Sequence, residues 1–295
     1  MIRKIAMFKH FPLKNFFLLV SSSLLAFQLQ AGSDTFIDFE ATIGADDNVT
    51  RAADNFDIEH DAFFTLAGTV GQILLVNKSG ILKGKILLEA NKFARFDGLS
   101  NVVAAGKINY TFGFGSGFGV PWFSLEADYG VVEFESFLRD SNIGRATATM
   151  GMQIDDSTTA RLGFSYQNRD AESKVFDTEN TSFFVNLDWE VVRKHIVYAT
   201  YKYDEGDIFS SATDVEVYVI DASSGNIVED DVFIGKRTYR VDGTTQFVTL
   251  GYNMIRNLDS SFDFSARYLE SEAKDVDLTY SGLTLRASYF HRFNL

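Results

Sequence analysis

From residue 34 onward, apolar side chains recur at every second position for about ten residues at a time, and each run ends in a charged or Gly/Asn/Asp-rich break. Residues 35–44 set Ile37, Phe39, Ala41 and Ile43 against Asp38, Glu40 and Thr42, the two-sided pattern of a β-strand. Similar runs occupy residues 61–76, 81–93, 101–114, 122–135, 143–154, 159–168, 181–192, 195–203, 244–255 and 260–269, and a last one ends at Leu295. That makes about twelve segments, each near the roughly 9–11 residues that a tilted strand needs to cross a bilayer. The pattern predicts an all-β chain folded as a transmembrane antiparallel up-and-down barrel.

The breaks add a second signal. Those at residues 77–80, 115–121, 155–158, 192–194 and 256–259 are short, and each follows an even-numbered strand. Long polar breaks occupy the alternate positions. With the N-terminus in the periplasm, every long loop lies outside the cell and every turn inside, as membrane barrels arrange them. A soluble sandwich has no reason to sort its connections in this way.

The longest break, residues 204–243, contains two further alternating stretches, around Val215, Val217 and Val219 and over residues 232–241. They form either an extracellular hairpin above a twelve-stranded barrel or two extra membrane strands, giving fourteen. Charges at Asp221, Glu229, Asp230 and Asp231 favour the hairpin.

Composition agrees with a ladder-rich fold. Among 295 residues there are two prolines, Pro12 and Pro121, with 29 Phe, 12 Tyr and 22 Gly. Cysteine is absent, which removes disulfides, thiolate nucleophiles and Cys-based metal sites. The first 31 residues read as a secretory signal: Arg3, Lys4, Lys9 and Lys14, an apolar run over 15–27, then Leu29-Gln30-Ala31. Residues 32–295 then form the barrel. The whole chain carries a net charge of −13, and removing that leader's four basic residues from 27 leaves 23 against 40 acids, or −17. Nucleic acid is not expected as a partner.

The last segment, residues 278–295, places Leu283, Leu285, Ala287, Tyr289, His291, Phe293 and Leu295 on one face and Thr284, Arg286, Ser288, Phe290 and Arg292 on the other. It resembles the C-terminal strand of Gram-negative outer-membrane β-barrel proteins, although those end in Phe or Trp where this chain has Leu295. The resemblance implies a bacterial outer-membrane location and recognition by the barrel-assembly machinery through this strand. Outer-membrane lipid and lipopolysaccharide are then the expected surroundings. The short stretch Gly44-Ala45-Asp46-Asp47-Asn48-Val49 also resembles the first hairpin of barrels involved in surface export.

If the apolar faces meet lipid, the opposite faces define a lumen. Its charged candidates are Asp38, Glu40, Lys83, Lys85, Glu89, Lys107, Glu126, Asp128, Arg145, Arg161, Asp188, Glu190, Lys202, Asp263, Arg267, Arg286 and Arg292. In a meander Lys107 and Arg145 flank Glu126 and Asp128, Arg161 flanks Asp188 and Glu190, and closure sets Arg286 or Arg292 beside Asp38 and Glu40. Mixed signs fit either a transverse field in a narrow aqueous pore or ion-pair ladders that fill the lumen.

Little in the chain points to catalysis. His60, His195 and His291 lie far apart in sequence, and the Ser/His arrangement of twelve-stranded outer-membrane phospholipases has no counterpart at their positions. The acidic runs Asp46-Asp47-Asn48 and Asp204-Glu205-Gly206-Asp207 lack the ligand spacing of a calcium loop. The glycines of residues 113–119 precede a strand, not the helix a phosphate loop needs. No cofactor, no metal and no enzyme activity are expected. The reading is a porin-like passive channel for small polar solutes, with a structural or interaction barrel acting through its outer loops as the rival and a membrane-embedded hydrolase a distant third.

Overall fold

A computed structural model describes residues 35–77, 80–115 and 118–295. The expected leader, residues 1–31, lies outside the described residues. Among them twelve long strands close into one antiparallel barrel: β1 Thr35–Asp46, β2 Asp61–Asn77, β3 Gly80–Phe93, β4 Asn101–Gly113, β5 Pro121–Phe134, β6 Ser141–Gln153, β7 Thr158–Ala171, β8 Thr178–Val192, β9 His195–Ala212, β11 Arg237–Ile255, β12 Ser260–Ala273 and β13 Thr279–Asn294. A three-residue strand, β10 Ile227–Glu229, pairs with β11 inside the longest outer loop and adds nothing to the wall. Consecutive strands are neighbours throughout. The ring shuts where β13 meets β1, with Phe293 opposite Ile37 and Arg292 opposite Asp38.

Alternation along each strand sorts side chains between two solvents. Ile43, Ile108, Leu125, Phe164, Leu187, Leu250, Phe264 and Leu285 stand exposed on the outer surface, drawn from strands around the ring. An apolar surface of that extent belongs in acyl chains, because water would penalise every one of these residues. Closure joins the first wall strand to the last, so the backbone donors and acceptors of the wall pair within the ring, apart from irregularities at residues 73–75 and 190–192.

The region 204–243 departs from expectation in detail. Strand β9 runs on to Ala212 and β11 begins at Arg237, and the two stay paired up to Ala212↔Arg237. Pairing of β9 with β8 stops at Asn180↔Gly206, and pairing of β11 with β12 stops at Gly243↔Ala273. The hairpin therefore exists, but its arms are residues 206–212 and 237–243. The stretch read as alternating around Val217 is instead a short helix, α1 Val217–Ala222. Val219 and Ala222 of the helix, with Val215 just before it, pack on one apolar cluster with Tyr239, Val241, Leu269 and Leu278, and the spacing of three within the helix sets Val219 and Ala222 on one face. Packing overrides the weak helix propensity of valine here.

Candidate functional site

The charged candidates of the inner faces fall into three groups. Several pair across neighbouring strands: Lys107 with Glu126 at 2.9 Å, Arg161 with Asp188 at 2.6 Å, and Arg292 with Asp38 through two bonds of 2.6 and 2.8 Å. Others lean on neutral or local partners. Arg145 donates to Gln167, Asp263 accepts from the Tyr198 hydroxyl, Lys202 pairs with Asp204 on its own strand, and Glu190 accepts from the Lys194 N–H at a turn. Lys85 lies 5.9 Å from the centre of the Phe36 ring. Among the described residues Lys83, Arg267 and Arg286 make no ion pair within 4 Å, and one carboxylate oxygen of Asp128 is buried without a hydrogen-bond partner although Lys107 and Arg145 stand opposite it in register.

A second set of inner side chains escaped the sequence reading. Phe63 faces Gly44 across the strands, Phe36 faces Gly71, Trp122 faces Gly151, Phe184 faces Gly163 and Tyr198 faces Gly251. A Cβ on any of these glycines would stand 2.1–2.3 Å from an atom of the facing ring. Each ring therefore lies flat over the wall, in space that only glycine leaves free. Trp122 is one of these inner rings. Its register partner Gly151 carried the signal, since an aromatic directly opposite a glycine on the adjacent strand predicts such an overlay.

Above the wall, the loop of residues 213–236 and the hairpin beneath it reach every other outer loop. Lys236 pairs with Asp57 at 2.6 Å, and Thr213 donates its backbone N–H to the same carboxylate at 2.9 Å. Phe233 meets Phe96 edge to face with ring centres 4.9 Å apart. Arg139 grips Asp230 through two bonds of 2.9 Å and also reaches Asp231. Phe209 of the hairpin packs on Phe176, and α1 shares its apolar cluster with Val276 and Leu278. A segment tied to loops all round a rim must cross the opening. The loop is thus a cap.

The cap's acids are held charged. Burial works against the Asp230 carboxylate, but the Arg139 guanidinium, the Thr238 hydroxyl and the backbone N–H groups of Val232 and Phe233 outweigh it and keep its carboxyl below the usual range. Burial is likewise overcome at Asp57 by hydrogen bonds from Lys236 and Thr213. The two acidic runs flagged above as possible cation loops are also spoken for. Asp46 pairs with Arg51 at 2.7 Å and Asp47 accepts from the Leu283 N–H, while Asp207 accepts from the Glu179 N–H and Glu205 pairs with Lys274.

Beneath the cap lies a chamber of about 420 Å³, lined in part by Arg51, Arg139, Arg169, Arg267 and Arg286 and by Glu40 and Glu89. A second cavity, of about 600 Å³, opens toward the periplasmic turns and is lined by Asp38, Arg292, Asn253, Asp259 and again Glu40 and Glu89. The two share those glutamates, so they lie one on each side of Glu40 and Glu89 within the wall.

This architecture, a closed twelve-stranded antiparallel up-and-down barrel with a lipid-matched exterior, is that of outer-membrane β-barrels. It has the fold of the COG4313 outer membrane channel from Pseudomonas putida F1, with a TM-score of 0.57 and 9% identity over 89% of this chain and 97% of that one. It is similar at a lower level to the NanC porin, with a TM-score of 0.44 and 6% identity over 85% of this chain and 98% of that one. No family model and no curated protein sequence matches the chain.

Proposed function

We propose that the protein is a porin-like passive channel of the bacterial outer membrane for small polar solutes. The observation that carries this reading is the pair of cavities, about 420 and 600 Å³, that share Glu40 and Glu89 as lining inside the wall. The flattened rings support it, because five bulky aromatics laid over glycines lie against the wall instead of projecting across the lumen. The charged inner side chains, from Asp38 to Arg292, act as the polar lining, with the Lys107–Glu126 and Arg161–Asp188 pairs holding the field across it. Strand β13 serves as the handle for the barrel-assembly machinery, and the outer rim faces lipopolysaccharide.

Liposome swelling tests the reading. Vesicles carrying the purified protein should swell in isotonic solutions of small polar solutes such as glycine or arabinose, with rates falling as solute size grows. Vesicles that swell no faster than protein-free controls would refute a channel and leave a barrel that acts through its outer loops.

A further inference from the structure

The chamber beneath the cap is not electrically balanced. Of its five arginines, Arg51 is neutralised by Asp46 and Arg139 by Asp230. Arg169 donates to the Ser141 hydroxyl and to the Arg139 carbonyl, neither of them charged. Among the described residues Arg267 and Arg286 make no ion pair, and the Nε of Arg267 is buried without a hydrogen-bond partner. Residues Ser265 and Arg286 are opposite one another in the β12–β13 ladder, as are Arg267 and Thr284, so the two guanidinium groups are diagonal neighbours on one inner face. Two adjacent cations that share a wall and have unmet donors present a fork for an anion with two oxygens.

Six phenylalanines supply the chamber's aromatic surface, Phe63, Phe93, Phe134, Phe176, Phe209 and Phe233, alongside neutral polar side chains such as Asn91 and Thr284. Phe63 lies under Arg286, with the guanidinium carbon 5.7 Å from the ring centre, and Phe247 lies 5.6 Å from that of Arg267. The two carboxylates, Glu40 and Glu89, sit where this chamber meets the lower cavity. A passing solute therefore meets arginines and phenylalanines first and glutamates last. The volume lies within the roughly 300–1,000 Å³ of small-molecule sites.

Resting on the channel reading, we infer that this chamber is a binding site for organic anions with a flat apolar body, such as aromatic monocarboxylates, anchored by Arg267 and Arg286. The carboxylate takes the unmet guanidinium donors while the body lies among the phenylalanine rings. Neither inorganic anions, which lack the body, nor aromatic cations, which are repelled by the arginines, satisfy both halves.

Isothermal titration of the detergent-solubilised protein with benzoate, acetate and benzylamine reads this directly. Benzoate should bind at least about tenfold more tightly than either of the others, and Arg267→Gln and Arg286→Gln should each weaken it by about tenfold, the loss expected for a charged hydrogen bond. Gel mobility before and after boiling verifies that each variant is a folded barrel, and the three-ligand comparison on the native protein does not depend on the variants. Equal binding of benzoate, acetate and benzylamine, or no binding at all, would overturn the site. If solutes still pass in the swelling assay in that case, the channel stands and only the anion site is lost.

Discussion

Arg139 in the loop between β5 and β6 meets Asp230 in the cap through one nitrogen, Nη2, which donates to both carboxylate oxygens at 2.9 Å, with the Asp230 side chain fully buried. Ser211, Thr238 and two backbone N–H groups complete the carboxylate's partners, so the pair sits at the centre of a network and not at the end of one. Removing one partner of such a pair costs about 3–5 kcal/mol, because the other charge stays buried alone. Asp230→Asn should therefore release the cap while leaving the barrel wall intact. Limited proteolysis should cut the variant within residues 213–236 and spare the native protein, and current through the variant should rise. Equal resistance to protease in both would show that the pair does not hold the cap.

Acid should act on the same latch. Asp57 and Asp230 both have carboxyl groups held below the ordinary value of about 3.9 when the cap is docked. A lowered docked value means that the stabilisation is complete above that ordinary value and is lost as pH falls through the lowered one. Asp140 runs the other way, since burial pushes its carboxyl up, and it offsets part of the loss. Channel current should stay constant from pH 7 to about pH 4 and change only below it, and Asp57→Asn should remove part of that change.

The ion pair at the seam should matter far less. Arg292 and Asp38 bridge β13 and β1, but both side chains are partly open to water, at 48% and 32%. Exposed pairs contribute about 0–1 kcal/mol, against a full ladder of backbone bonds between the same strands. Arg292→Gln should leave the temperature at which the barrel loses its fast gel mobility almost unchanged.

The glycine overlays should be much less forgiving. At Gly251 a Cβ would stand 2.1 Å from the Tyr198 ring, and the hydroxyl of that ring is fixed by Asp263 at 2.9 Å. Gly251→Val forces the ring off the wall and into the lumen, an overpacking that costs about 1–3 kcal/mol. The variant should melt earlier and conduct less than the native protein. A variant with native conductance would show that the ring's position has no bearing on the lumen.

The wall was legible because its signal is local. A period of two along each strand, and short breaks alternating with long ones, suffice to order twelve strands in a meander, and the meander then sets Arg292 beside Asp38 and Arg161 beside Asp188. Two things were hidden for the same reason, that they depend on register. Gly251 and Tyr198 lie 53 positions apart in the chain and meet only when β9 and β11 pair around the cap loop. Arg139 and Asp230 are separated by 91 positions, and loop positions have no periodicity from which to place them. Helix α1 was misread because Val215, Val217 and Val219 alternate in sequence, whereas the residues that pack are Val215, Val219 and Ala222.

The most direct test of the account is ionic current through purified protein inserted in planar bilayers. The channel reading predicts discrete, reproducible conductance steps in potassium chloride, larger in Asp230→Asn than in the native protein. Stable insertion without steps, in the native protein and in that variant alike, would contradict an open lumen.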